Sequence, residues 1–329
     1  MAKTTIGRVF DGTTLRVVDA SRPADSDVLV ITFPARSPRQ GLDRRPFGQQ
    51  FLQASNISSV HVTADRNHWF QTTEAEAAIQ AIKPIAARFR RVVTYGSSMG
   101  GYGALAWSRR LGATDVVAIS PQFSIDRRRV PWERRWSEEA ATLDFFDDDM
   151  AENLNPDATV TLIFDPLTAD GRHGAEITAL SARASTLLAP FGGHPAGTFL
   201  RDIKLLSSAI RKLASGTADI PSLRRAIRQG RASSALYWSQ RAAGLAKSKR
   251  LEAAREANHR ALALAPDQAN VCFAAGRLSI RLGDGAIGKE ALLKAVALNP
   301  DEPKYRRVLE MVLADEGRRR GAQRRGAPA

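Results

Sequence analysis

The chain has 329 residues, 43% of them hydrophobic and 25% charged, with a formal net charge of +14. That length suits two domains. No apolar run approaches the roughly 20 residues that a membrane-spanning helix needs, and the one cysteine, Cys272, excludes an intrachain disulfide and a multi-cysteine metal site.

The opening stretch Met1-Ala-Lys-Thr-Thr-Ile has no apolar signal-peptide core, so the expectation is a cytoplasmic protein. Excess positive charge attracts anionic partners. Here it is spread over the runs Arg127–Arg129, Arg134-Arg135, Arg318–Arg320 and Arg324-Arg325, with no zinc-finger spacing and no aromatic RNA-binding motif. These runs read as solvated faces and a tail, and nucleic acid is not an expected partner.

Apolar strand patterns fall at Leu15–Ala20, Val28–Phe33, Ile57–Thr63, Arg91–Tyr95, Asp115–Ser120, Thr159–Phe164 and Ser185–Pro190. Helical patterns lie between them at Pro46–Ser55, Thr72–Arg88, Ser98–Leu111 and Arg172–Arg183. Near-continuous apolar strands separated by helices predict an α/β fold, a mostly parallel sheet covered on both faces. The cluster Asp65-Arg66-Asn67-His68-Trp69 follows one strand and so belongs at the carboxyl edge, where open α/β sheets bind ligands. Asn67, His68 and Trp69 are therefore candidate substrate contacts; loop packing and capping is the other reading.

Next comes Tyr95-Gly96-Ser97-Ser98-Met99-Gly100-Gly101-Tyr102-Gly103, a Gly-x-Ser-x-Gly pentapeptide between an apolar strand and a helix. A nucleophile elbow needs that strand–turn–helix setting, because side chains two residues either side of the serine collide in so sharp a bend. Ser98 then stands at a helix N-terminus, which favours developing negative charge. A dinucleotide loop would need Gly-x-Gly-x-x-Gly, which is missing here. The segment resembles the elbow of the α/β-hydrolase superfamily, over roughly residues 1–215. The resemblance implies a serine esterase, thioesterase or acyltransferase acting through an acyl-serine, with no cofactor and no metal.

The superfamily order is Ser, then Asp or Glu, then His. Three histidines follow Ser98: His173 starts a helical pattern, His259 lies in the helical C-terminal part, and His194 sits in Phe191-Gly192-Gly193-His194-Pro195 after a strand. His194 resembles the superfamily's base in place and in its Gly-Gly flank. Two carboxylates qualify as the acid that holds the imidazole tautomer. Asp165-Pro166-Leu167 resembles the acid loop of hormone-sensitive-lipase-like esterases, which favours Asp165. Asp170 is the alternative, with helix capping as its structural role. The oxyanion hole is expected from the backbone N–H of Met99 and of Ala35, since Pro34 has none. Phe33-Pro34-Ala35 departs from the His-Gly common in this family.

Between two strand patterns, residues 122–156 carry Trp132, Trp136, Phe145 and Phe146 among many charges, as an insertion or lid or as a covering helix. Residues 216–232 read as a linker helix. Beyond them, Ala261-Leu-Ala-Leu-Ala-Pro266-Asp267 recurs as Ala295-Val-Ala-Leu-Asn-Pro300-Asp301, a period of 34. This resembles two tetratricopeptide repeats, with Trp238, Ala254, Ala261, Gly276 and Ala295 at their characteristic positions and departures at Asn258 and Gly288. The repeats and a closing helix Pro303–Glu316 occupy 233–317, and 318–329 reads as a basic disordered tail. The expected partners are a small-molecule or acylated substrate and a protein held by the repeats. The rival expectation is a non-catalytic interaction protein that uses the hydrolase fold as scaffold.

Overall fold

The fold was obtained as a computed structural model that describes residues 7–22 and 26–325, with side chains described up to Arg318. Contacts divide the chain into one unit of Met1–Gln229 and another of Gly230–Ala329.

In the first unit eight strands form one sheet. They are β1 (Gly7–Asp11), β2 (Leu15–Asp19), β3 (Val28–Phe33), β4 (Ser58–Ala64), β5 (Arg91–Ser97), β6 (Asp115–Ile119), β7 (Thr159–Phe164) and β8 (Ala184–Leu188). Their order is β1-β2-β4-β3-β5-β6-β7-β8. The β1–β2 and β2–β4 pairs are antiparallel and every other pair is parallel. This is the α/β-hydrolase-like arrangement. Strand β1, which carries no buried residue, had no apolar signature in the sequence.

Nine helices belong to this unit among the described residues: α1 (Gln49–Ala54), α2 (Ala75–Ala86), α3 (Met99–Ala106), α4 (Ser137–Ala140), α5 (Met150–Asn153), α6 (Asp170–Leu180), α7 (Gly197–Asp202), α8 (Leu206–Ser215) and α9 (Ile220–Gly230). Alternate residues of a strand face opposite sides. Leu29, Ile31 and Phe33 of β3, with Val116 and Ala118 of β6, pack in one core with α2, α3 and Ile177 of α6. On the sheet, α8 packs against β3 and β6, and α1 against β4. Each fully buried aliphatic side chain of this kind contributes about 1.5–3 kcal/mol. The parallel strands therefore end at one edge, and the loops leaving β3, β4, β5, β6, β7 and β8 gather there. Residues 122–156 join those loops as an irregular cover with only two single-turn helices, α4 and α5.

Among the described residues the second unit holds helices and no strand. After a 3-10 turn at Arg231–Ser233 come α10 (Ala235–Lys247), α11 (Leu251–Leu264), α12 (Ala269–Arg281), α13 (Gly285–Leu298) and α14 (Pro303–Arg325). Each bound of the second pair lies 34 residues after its counterpart in the first. Helix α14 runs to Arg325 where the sequence reading placed a disordered tail from 318; residues 326–329 lie outside the described residues. Gly276 and Gly288 let α12 and α13 touch backbone to backbone, since a Cβ on Gly276 would lie 2.8 Å from the Gly288 carbonyl. Asn258 is buried and donates to the Ala275 carbonyl at 3.1 Å and to Ser279 Oγ at 2.9 Å. No helix among the described residues is long and apolar enough to cross a membrane.

Candidate active site

Ser98 sits between β5 and α3 with φ 55° and ψ −121°, a conformation rare for a non-glycine residue. Such strain persists only where the surroundings over-determine it. They do so here, because a Cβ on Gly96 would strike the Gly100 carbonyl, and one on Gly100 would strike the Phe33 carbonyl. The Ser98 N–H donates to the Ile119 carbonyl of β6 at 2.8 Å, which ties the bend to the sheet.

Ser98 Oγ lies 2.9 Å from His194 Nε2. His194 Nδ1 lies 2.8 Å from Asp170 Oδ2 and 3.0 Å from its Oδ1. The sequence preference for Asp165 in this position is corrected: Asp170 takes it. Asp165 immediately follows β7, and its carboxylate turns to backbone, accepting from Leu167 N–H at 2.9 Å and from Gly193 N–H at 2.9 Å. It thereby holds the loop that carries His194. A turn closed by Thr168 N–H on the Asp165 carbonyl then sets Asp170 as the first residue of α6. The Asp170 side chain, fully removed from solvent, faces the imidazole. Burial pushes the Asp170 carboxyl up, but the His194 hydrogen bond, the His194 charge and Arg135 outweigh it and hold it below the usual carboxylate range. Burial leaves Asp165 above that range.

Met99 is the first residue of α3, so its N–H has no carbonyl four residues earlier within the helix. The end of β3 reaches the same bend: the Pro34 carbonyl lies 2.9 Å from where a Cβ on Gly100 would sit. Ala35 follows directly, half-buried.

Of the three candidate substrate contacts Asn67, His68 and Trp69, two are buried and the third is half-buried. His68 is wholly buried, accepting the Phe70 N–H on Nδ1 at 3.0 Å, with Nε2 3.4 Å from the Thr14 carbonyl. Trp69 is wholly buried, and its Nε1 donates to Gln122 Oε1 at 3.1 Å. Asn67 spends its amide on the Ser37 backbone, at 2.9 and 3.0 Å, bracing the loop that carries Ala35. The ring that does face the imidazole is Trp136, 5.5 Å from His194 and 5.7 Å from Trp69.

Sequence reasoning missed Trp136, Arg135 and Glu133. Arg135 was counted among solvated charges, but its side chain is 28% exposed and its Nη1 reaches Asp170 Oδ1 at 2.7 Å. The only signal was a tryptophan beside the arginine pair. Among the described residues no group of three His, Cys, Asp or Glu is placed to hold a metal ion.

No protein-family model and no curated protein matches this sequence. Among solved structures the chain is similar to the capsule O-acetyltransferase of Neisseria meningitidis serogroup A, at 13% identity over 63% of this chain and 93% of that one, with a TM-score of 0.45. It is similar to the Pyrococcus furiosus esterase Pf2001 at 12% identity over 65% and 93%, with a TM-score of 0.43. The glycosylation-associated Gap123 complex from Streptococcus agalactiae is similar at 15% identity over 64% and 46%, with a TM-score of 0.46.

Proposed function

We propose that the first unit is a serine hydrolase or acyltransferase that works through an acyl-Ser98 intermediate. One observation carries this reading: an unbroken line of hydrogen-bonding distances from Ser98 Oγ through His194 to Asp170. A serine hydroxyl is a weak nucleophile until a neighbouring base takes its proton. His194 Nε2 takes that proton as Oγ attacks the acyl carbon, and Asp170 holds Nδ1–H and offsets the imidazolium charge. The carbonyl electrons move onto an oxygen facing the N–H groups of Met99 and Ala35. His194 then returns the proton to the leaving group. Water or an acceptor hydroxyl repeats the sequence to release the acyl group.

Ser98 is only 4% exposed and the His194 side chain 16%, so both reacting groups lie mostly beneath the surface. The second unit is proposed as two tetratricopeptide-like repeats that hold a protein partner, supported by the common 34-residue offset of its helix pairs.

The test is a stopped-flow burst with a chromogenic acetate ester. An initial release of one leaving group per protein, lost in Ser98→Ala, is expected. Turnover undiminished in Ser98→Ala would remove Ser98 from the reaction.

A further inference from the structure

Asp170 is gripped from two sides. His194 occupies Oδ2, while Arg135 Nη1 occupies Oδ1 at 2.7 Å. Arg135 is itself held by Glu133, with Nε at 3.0 Å from both carboxylate oxygens and Nη2 at 2.6 Å from Oε2. Glu133, 1% exposed, also meets His173 Nε2 at 2.9 Å. His173 Nδ1 accepts the Phe123 N–H at 3.1 Å, so Nε2 carries the ring proton and donates it to Glu133. Burial pushes His173 below its ordinary value, and the ring is neutral. Behind the triad therefore runs a hydrogen-bonded chain, His173–Glu133–Arg135–Asp170, in which Arg135 alone reaches the surface.

We propose that Arg135 is a positioning residue for the triad: anchored on Glu133, it fixes the orientation and charge of Asp170 and makes proton transfer at His194 depend on how the 122–149 segment is seated. The proposal rests on the reading of Ser98, His194 and Asp170 as an acyl-transfer centre. Charge counting gives the physical reason. Asp170 and Glu133 are two buried carboxylates and Arg135 one cation, so the cluster carries −1 with a neutral imidazole and 0 with an imidazolium. His173 adds no charge; Asp165 also acts on Asp170, is hydrogen-bonded to backbone N–H groups and counts equally in both states. The negative charge behind the imidazole is thus compensated by one further unit when His194 holds the serine's proton, the charge state of the transition state. Without Arg135 the same groups start at −2, so His194 faces one more uncompensated negative charge. Trp136 joins the two halves, with the Arg135 guanidinium 5.5 Å over its ring and His194 5.5 Å from it. Arg36, next in the chain to Ala35, also lies 5.5 Å over the same ring and pairs with Glu139. Both arginines and both glutamates are thus spent on seating the segment.

The two charges of the anchor predict opposite effects. Removing Arg135 makes the Asp170–His194 pair easier to protonate, so the acid limb of the pH–rate profile moves up. Removing the charge of Glu133 leaves Arg135 on Asp170 alone and moves that limb down. The experiment measures the rate of fluorophosphonate labelling at Ser98 against pH, and the NMR titration of the His194 ring, in wild-type, Arg135→Met, Arg135→Lys and Glu133→Gln proteins. Arg135→Met is expected to raise the limb by roughly one pH unit and to slow labelling at neutral pH about 10- to 100-fold. Arg135→Lys keeps the charge but not the planar fork and is expected to fall between. If Arg135→Met does not fold, Arg135→Lys and Glu133→Gln still give the opposed shifts. Acid limbs and ring titrations coincident with wild type in folded variants would overturn the proposal, even if the rates fell. A wild-type protein that is never labelled would instead defeat the acyl-transfer reading, and the ring titration would still decide the role of Arg135.

Discussion

Two Arg–Asp pairs sit at opposite ends of the same sheet and do different work. At the amino end Arg91, the first residue of β5, pairs with Asp115, the first of β6, at 2.6 Å. Its Nε donates to the Ala214 carbonyl at 2.9 Å, and Nη2, which also meets Asp115, reaches the Leu213 carbonyl at 3.3 Å, at the last turn of α8. Asp115 Oδ2 is taken by Thr114 Oγ1 at 2.7 Å. Both oxygens of Asp115 are spent on fixed partners. At the carboxyl end Asp170 divides itself between Arg135 and an imidazole that in turn reaches a hydroxyl in a strained bend. An ion pair can take part in chemistry when one of its oxygens is left for an imidazole that meets a nucleophile.

The sharpest way to break this comparison is at the two carboxyl-end aspartates. Asp170→Asn is expected to slow labelling of Ser98 by about 10²–10⁴-fold, because the amide misorients the imidazole and leaves its charge uncompensated. Asp165→Asn, which still presents one oxygen to the backbone, is expected to slow it far less. The reverse order in a labelling time course would return the acid role to Asp165.

Next in size is a stability effect at the sheet interior. His61 on β4 is wholly buried between Thr32 Oγ1 at 2.7 Å and Ser59 Oγ at 2.9 Å, and burial pushes it down to about 4. It is neutral in the fold, while the unfolded chain takes up a proton as pH falls below about 6.5. Its contribution is therefore complete above that pH and is lost as pH falls toward about 4. By urea unfolding, going from pH 7 to 4.5 should cost wild type about 2–3 kcal/mol more than it costs His61→Gln. Equal losses in the two proteins would remove His61 as the cause.

The smallest effect is expected at the amino-end pair. Arg91→Met should lower stability by about 1–3 kcal/mol and leave the labelling rate and its pH profile unchanged. A shifted profile in Arg91→Met would show that the two ends are coupled through the sheet, against the contrast drawn here.

Much of this was legible in the sequence, and the exceptions have physical causes. Strands β3 to β7 are mostly apolar because both faces of a parallel sheet are covered, and their spacing set the fold class. The tight bend at Ser98 was legible because its glycines are needed for steric reasons local to it. The place of His194 after β8 was legible from its Gly-Gly flank. The 34-residue offset was visible because a helical hairpin is built from neighbours in the chain. What escaped notice depends on distance in space. Asp165 ends its strand and matched a known loop, yet the turn after it brings the carboxylate five residues on to the imidazole. Arg135 lies in a run of charges, and nothing local tells that its guanidinium reaches Asp170. His68 and Trp69 were placed at the right edge of the sheet, but side-chain packing turned them inward.

The most direct measurement is intact-protein mass spectrometry after fluorophosphonate treatment, with the adduct located by peptide mapping. A single adduct on Ser98, absent from Ser98→Ala and strongly slowed in Asp170→Asn, is the predicted result. Well-folded protein that gains no mass at any pH, or gains it at another residue, would contradict the account.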